Sequence, residues 1–137
     1  MLPGVYPWGN SMPPIVDGKP MGNYGGEEMA DGNLPPEYKG ISGYRDGFPR
    51  TSPVGTFPAN AFGLYDMGGN VGQWCEDMLA AGSTERFSSH RVIRGGSWLS
   101  TGGIRSSFRD AFAPNVRFSV IGFRVVLARE KQDLPAP

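Results

Sequence analysis

The sequence predicts a single α+β domain with little regular secondary structure, and three observations carry that reading. The chain has 137 residues, which limits it to one domain. Hydrophobic residues make up 39% and aromatic residues 12%, enough for a packed core and too many for a disordered chain. Glycine supplies 21 residues and proline 13, about a quarter of the chain, and they punctuate aromatic and β-branched runs without a period. That pattern belongs to ordered loops.

The elements follow in order. Residues 1–57 are a string of turn signals: Pro7-Trp8-Gly9-Asn10, Met12-Pro13-Pro14, Asp17-Gly18-Lys19-Pro20, Gly22-Asn23-Tyr24-Gly25-Gly26, Asp31 to Pro36, and Asp46-Gly47-Phe48-Pro49. Helix and sheet ladders cannot satisfy the backbone of such a stretch, so it needs another organiser: bound ions, waters or a covering partner. Asn60 to Met67 is mostly apolar. Val71 to Leu79 reads as a short helix with Trp74, Cys75 and Met78 on one face. Arg91 to Trp98 reads as a strand entering a tight glycine turn, and Ile121 to Ala128 as the clearest strand. Between them, 99–120 has no clean period. The tail, 130–137, is expected to fray, leaving 1–129 as the domain.

Charge is balanced overall, at 13 basic and 13 acidic residues, but unevenly placed. Residues 1–90 carry five basic and ten acidic side chains, and 91–137 carry eight and three. The arginines at 91, 94, 105, 109, 117, 124 and 129 are dispersed and unaccompanied by lysine up to 129, so the two halves are expected to pair with each other rather than with nucleic acid. No apolar stretch approaches the length of a membrane span. The start, Met1-Leu2-Pro3-Gly4, has neither a basic n-region nor an apolar h-region, so no secretory leader is read there and a cytoplasmic location is the default expectation.

Common catalytic signatures are absent: no HExxH, CxxC, Walker loop or GxSxG. Gly68-Gly69-Asn70-Val71-Gly72 lacks the lysine of a phosphate loop. The lone His90 reads as a surface residue. A single cysteine, Cys75, excludes an internal disulfide framework, and with one His and one Cys any metal must be held through oxygen.

An ordered series of motifs is more specific. It runs Tyr6-Pro7-Trp8-Gly9-Asn10; Arg45-Asp46-Gly47-Phe48; Pro53 to Val71, containing Gly63-Leu64-Tyr65-Asp66-Met67-Gly68-Gly69-Asn70; Trp74-Cys75-Glu76-Asp77; Arg94-Gly95-Gly96-Ser97-Trp98; and Ile121-Gly122-Phe123-Arg124-Val125. This series resembles the formylglycine-generating enzyme (sulfatase-modifying factor) family and covers nearly the whole chain. The resemblance implies a C-type-lectin-like α+β variant, here lacking the usual N-terminal half, since the sequence begins almost at Tyr-Pro-Trp-Gly.

The resemblance also implies two copper-binding cysteines shortly after the Gly-Gly-Ser turn. Ser100 and Arg105 stand roughly there, and neither replaces a thiolate as a soft Cu(I) ligand. No copper is expected, formylglycine formation is not expected, and Cys75 is expected to pack as a small hydrophobe. Two calcium sites are implied as well. One would use the Asn23 side chain, the Tyr24 carbonyl, the Asp46 side chain and the Phe48 carbonyl. The other would use the Asp66 side chain, the Gly69 and Val71 carbonyls, and Gln73. The family has Glu where Gln73 stands, so weaker binding is expected at the second site.

The implied function is a calcium-stabilised, non-catalytic module that binds a protein or other ligand through 99–120. Ser97, Trp98, Ser100, Arg105, Phe112 and Phe118 are the candidate contacts, aromatics beside arginines being suited to protein recognition. Arg124 is expected to be a buried structural pair. Residues 99–121 contain no Lys, Glu, Gln, Met or Trp. That composition also resembles the variable proteins of diversity-generating retroelements, in which adenine mutagenesis cannot reach those five types. The alternative function is an oxidoreductase of the formylglycine-generating type, or a related oxidase.

Overall fold

The computed structural model describes residues 5–79 and 89–127. The expected fraying of 130–137 lies outside them. The described chain opens with a small hairpin, β1 (Ile15–Val16) paired antiparallel with β2 (Lys19–Pro20). Its two-residue loop, Asp17-Gly18, has φ of 48° and 72°, both positive. Asp tolerates the left-handed region and Gly adopts it without cost, which is why Asp-Gly closes the hairpin. A 3-10 turn follows at Glu27–Gly32 and ends on Asn33 in the left-handed region.

A four-stranded mixed sheet holds the second half, in the order β5-β4-β3-β6. Strand β3 (Gly72–Met78) lies antiparallel to β4 (Arg91–Arg94) and parallel to β6 (Ile121–Gly122), and β5 (Asp110–Phe112) forms the edge beside β4. The expected strand into a glycine turn is present, with Gly95 and Gly96 at φ of 97° and 68°.

Two expected elements differ. The helix over Val71–Leu79 is strand β3. Trp74 and Cys75 are half-buried, and the backbone finds ladder partners on both sides, so tertiary pairing decides what a short apolar run leaves open. Of the clearest expected strand, Ile121 to Ala128, the last residue lies outside the described residues, and within 121–127 the ladder is confined to Ile121–Gly122. Phe123 is 76% exposed and Leu127 97%. A continuous apolar run needs layers on both faces, and among the described residues none covers this one.

The α component is confined to the 3-10 turn among the described residues. No helix there is long and apolar enough to cross a membrane. The main core cluster is aromatic and lies largely in the loop-rich half: Trp8, Tyr24, Tyr44 and Ile104, with Tyr6, Ile15, Val16, Met21 and Ile41 packed against it. Tyr6 and Trp8 stack with centroids 5.1 Å apart, and Trp8 meets Tyr24 at 5.4 Å.

Side chains organise the loops. Asn70 (φ 57°) is 6% exposed and binds three other segments. Its Oδ1 accepts the Ser52 N–H (3.1 Å) and its Nδ2 donates to the Ser52 carbonyl (3.2 Å). Its backbone N–H donates to the Asn23 carbonyl (2.6 Å), and its carbonyl accepts the Trp98 N–H (2.9 Å). Among the described residues, charge pairing between the halves is not what joins them. Among the described residues the ion pairs are Arg45–Glu27 and Arg45–Asp31, both within the first half. The later arginines donate to oxygens instead, Arg91 to the Glu76 carbonyl and Arg94 to the Ser106 carbonyl. Neutral main-chain oxygens need no counter-charge, so dispersed arginines serve as loop clasps.

Candidate functional site

The loop-rich half brings Asn23, Tyr24 and Asp46 together. Asp46 Oδ2 accepts the Tyr24 N–H and Oδ1 the Phe48 N–H, both at 2.9 Å. The second bond is an Asx turn, which the sequence Asp-Gly-Phe favours. Glu28, on the 3-10 turn and 4% exposed, reaches the same loop. Its Oε1 accepts the Asp46 N–H (2.5 Å) and the Gly47 N–H (2.6 Å). Burial pushes the Asp46 carboxyl up to about 7; the Glu28 charge adds to this, while the Phe48 and Tyr24 N–H groups oppose it. For Glu28, burial acts upward too, but the backbone donors, Gly47 and Asp46 among them, hold it below the usual carboxylate range.

Asn23 is fully buried. Its Nδ2 donates to the Arg50 carbonyl (2.7 Å) and to Asn70 Oδ1 (3.4 Å), leaving Oδ1 without a donor. A buried amide oxygen without a donor, one residue from a backbone N–H held by an Asp, is a group that a hard cation can satisfy. Among the described residues no cluster of three or more His, Cys, Asp or Glu side chains forms. A cation here would draw on amide and carbonyl oxygens, which suits calcium rather than zinc.

Asp66, Gly69, Val71 and Gln73 line one cavity of about 480 Å3, together with Phe123 and Arg124. Gly69 (φ 78°) is required there, because a Cβ would run into the Asn23 backbone. Asp66 Oδ2 accepts the Gly55 N–H (2.7 Å). Gln73 is occupied at both ends: Nε2 donates to the Asp66 carbonyl (2.5 Å) and Oε1 accepts from Arg124 Nε (2.8 Å). Arg124 also donates to the Tyr65 (2.7 Å) and Asp66 (3.2 Å) carbonyls. It is exposed, so the expected buried pair is instead a surface clasp. Its fixed positive charge beside Gln73 disfavours a second cation, in the same direction as the Glu-to-Gln difference.

A third region lies after the glycine turn. A cavity of about 240 Å3 is lined by residues that include Ser97, Ser100, Phe108, Asp110 and Phe112. The Ser97 N–H donates to Ser100 Oγ (2.9 Å), and the Leu99 N–H to Ser97 Oγ (3.3 Å). Phe118, 50% exposed, meets Phe112 edge-on at 5.6 Å. Arg105 is exposed but does not line this cavity.

Trp98 is 3% exposed, donates to the Ser119 carbonyl (3.2 Å) and carries Arg50 over its ring at 5.4 Å. It packs the interior and is not a surface that a ligand meets. Cys75 is half-buried on β3 and outside the cavity lining; its thiol lies 3.9 Å from the Gln73 carbonyl. The half-buried His90 also lies outside that lining. The cleft therefore joins two hydroxyls, one carboxylate and apolar rings, with no thiol or imidazole.

Glu28 and Asn70 were not singled out as site residues. Glu28 had no signal of its own, being one of two adjacent acids. Asn70 had one: Asn after two glycines tolerates the left-handed backbone that a tight turn needs.

A loop-dominated domain with a small mixed sheet, a buried amide oxygen left without a donor and a thiol-free cleft defines a narrow class. Residues 3–129 match the Sulfatase-modifying factor enzyme 1-like domain, and the chain belongs to that family. It is 31% identical to the inactive C-alpha-formylglycine-generating enzyme 2 of Mus musculus, over 95% of this chain and 39% of the relative. It is also 31% identical to the Mus musculus formylglycine-generating enzyme, over 88% of this chain and 33% of the relative. PvdO from Pseudomonas aeruginosa shares its fold, with a TM-score of 0.55 and 32% identity over 80% of this chain and 42% of that one. The chain thus spans well under half the length of these relatives.

Proposed function

We propose that this domain is a non-catalytic, calcium-stabilised binding module of the formylglycine-generating-enzyme-like family, with a C-type-lectin-like fold and a recognition surface in 99–120. The observation that carries the reading is the cleft after the glycine turn. Ser100 lines it where the resemblance puts a copper-binding cysteine, and Cys75 lies elsewhere on β3. A hydroxyl does not hold Cu(I), which supports a reading without copper redox chemistry. Ser97, Ser100 and Phe112 form the cleft face, with Phe118 and Arg105 beside it, a composition suited to a protein or peptide ligand rather than to nucleic acid or membrane.

Calcium, when bound, supplies charge neutralisation and cross-links loops. Asn23, Tyr24, Asp46 and Phe48 would hold it. The Gly25 N–H donates to the Ser100 carbonyl (3.0 Å), so this loop also supports the recognition segment. The second set (Asp66, Gly69, Val71, Gln73) would hold a further ion more weakly.

The test is a peptide carrying a sulfatase-type cysteine, incubated with the protein, copper and oxygen and followed by mass. Unchanged thiol mass is expected. Conversion to formylglycine establishes the oxidoreductase alternative, which the identity to the mouse enzyme favours. The narrower reading, a retroelement-diversified protein, is tested by sequencing the locus across many clones. Substitutions confined to 99–121 support it, and a uniform locus removes it.

A further inference from the structure

Glu28 is an acidic side chain that the resemblance does not account for. It is 4% exposed, and its Oε1 is fully engaged with the Asp46 and Gly47 N–H groups. Its Oε2 is buried and has no hydrogen-bond donor. Asn23 Oδ1, in a fully buried residue, has none either. Both groups attach to the Asp46 loop, Glu28 directly and Asn23 through its neighbour Tyr24, whose N–H is held by Asp46.

A buried carboxylate oxygen without a donor costs several kcal/mol of lost hydration, roughly, unless something positive meets it. Among the described residues no cationic side chain pairs with it. Arg45, the nearest arginine in sequence, is spent on Glu27 and Asp31 at the surface. The Glu28 and Asp46 carboxyls are in hydrogen-bonding reach of each other, so without a cation a proton shared between them is the charge relief available; the Glu28 Oε2 and Asn23 Oδ1 still have no donor of their own.

We propose that Glu28 is a second anionic ligand of the first calcium site, its Oε2 joining Asn23 Oδ1 and Asp46 on one hard divalent cation. This rests on the calcium reading above and deepens it. The added carboxylate raises the ligand charge, the variable that tunes calcium affinity in oxygen sites. It also ties the 3-10 turn Glu27–Gly32 to ion occupancy.

The experiment is calorimetric titration of the metal-free protein with CaCl2, for wild type, Glu28→Gln and Glu28→Asp, with melting of each in chelator as the folding control. Gln keeps an acceptor for the Asp46 and Gly47 N–H groups but removes the charge, so calcium affinity should fall about tenfold or more. Asp keeps the charge but draws the oxygens back by one methylene, so affinity should fall several-fold. Should Gln fail to fold, the Asp variant decides. Affinity equal to wild type in either folded variant overturns the assignment while leaving the calcium site standing. No heat and no stabilisation with wild type overturns the calcium reading itself, and this assignment with it.

Discussion

Asn23 and Asn70, 47 residues apart, are joined twice: the Asn70 N–H donates to the Asn23 carbonyl at 2.6 Å, and Asn23 Nδ2 donates to Asn70 Oδ1 at 3.4 Å. Around this pair the Asn23 loop, the Ser52 segment and the glycine turn at Trp98 are held in register. Small sheets and a 3-10 turn cannot do that alone. Buried amide side chains replace the missing ladders, because every buried backbone group must be paired.

Asn70→Ala removes the acceptor of the Ser52 N–H and of Asn23 Nδ2, and puts at φ 57° a residue that tolerates the left-handed region less well than asparagine. Each buried group left unpaired costs about 1–3 kcal/mol. The expected loss in denaturant unfolding is therefore about 3 kcal/mol or more. Asn70→Gly, which relieves only the backbone, should recover a minor part.

Calcium should raise the melting temperature, and excess chelator should lower it, because an ion bound only to the native state adds stability by mass action. Asp46→Ala should melt like the chelated wild type and be insensitive to added calcium. A melting curve that chelator does not move would refute calcium binding.

In chelator, stability should fall as pH rises. Asp46 has its pKa raised from 3.8 to about 7 in the folded state. The folded protein then binds the proton more tightly than the unfolded chain, so this contribution is complete below 3.8 and is lost as pH rises through about 7. Glu28, lowered, acts oppositely at the acid end, where its contribution is lost as pH falls through its depressed value. A pH series of melts with and without calcium checks both, and calcium should flatten the neutral limb.

Arg124→Lys should destabilise modestly and loosen the loop at 60–67. One guanidinium serves Gln73, Tyr65 and Asp66 through its planar fork, which an ammonium cannot reproduce. Faster proteolysis within 60–67 is the readout. Cys75→Ser should change melting slightly and leave the peptide assay unchanged.

Turn chemistry was legible in the residues themselves. Asp17-Gly18 closes a hairpin, Gly95-Gly96 ends β4, and Asp46-Gly47-Phe48 forms its Asx turn, all because local sterics and a short side chain settle local backbone. Asn23, Tyr24 and Asp46 were named through family resemblance alone, and in the structure the Tyr24 N–H donates to Asp46. The segment 71–79 was not legible. Trp74, Cys75 and Met78 fit a helical face as well as a strand, and only the pairing of β3 with β4 and β6 separates the two. Trp98 was misplaced for a related reason: a tryptophan after a glycine turn can face a ligand or the core, and Arg50, from a distant loop, covers it.

The sequence by itself determined a turn-rich chain with a single cysteine and a single histidine, because composition, residue type and local turn preferences are carried by single residues. Tertiary structure decided which of two adjacent glutamates is buried. Glu27 pairs with Arg45 at the surface, while Glu28 turns inward to the Asp46 loop. That choice depends on where a loop 18 residues away presents its N–H groups, and no local preference encodes it.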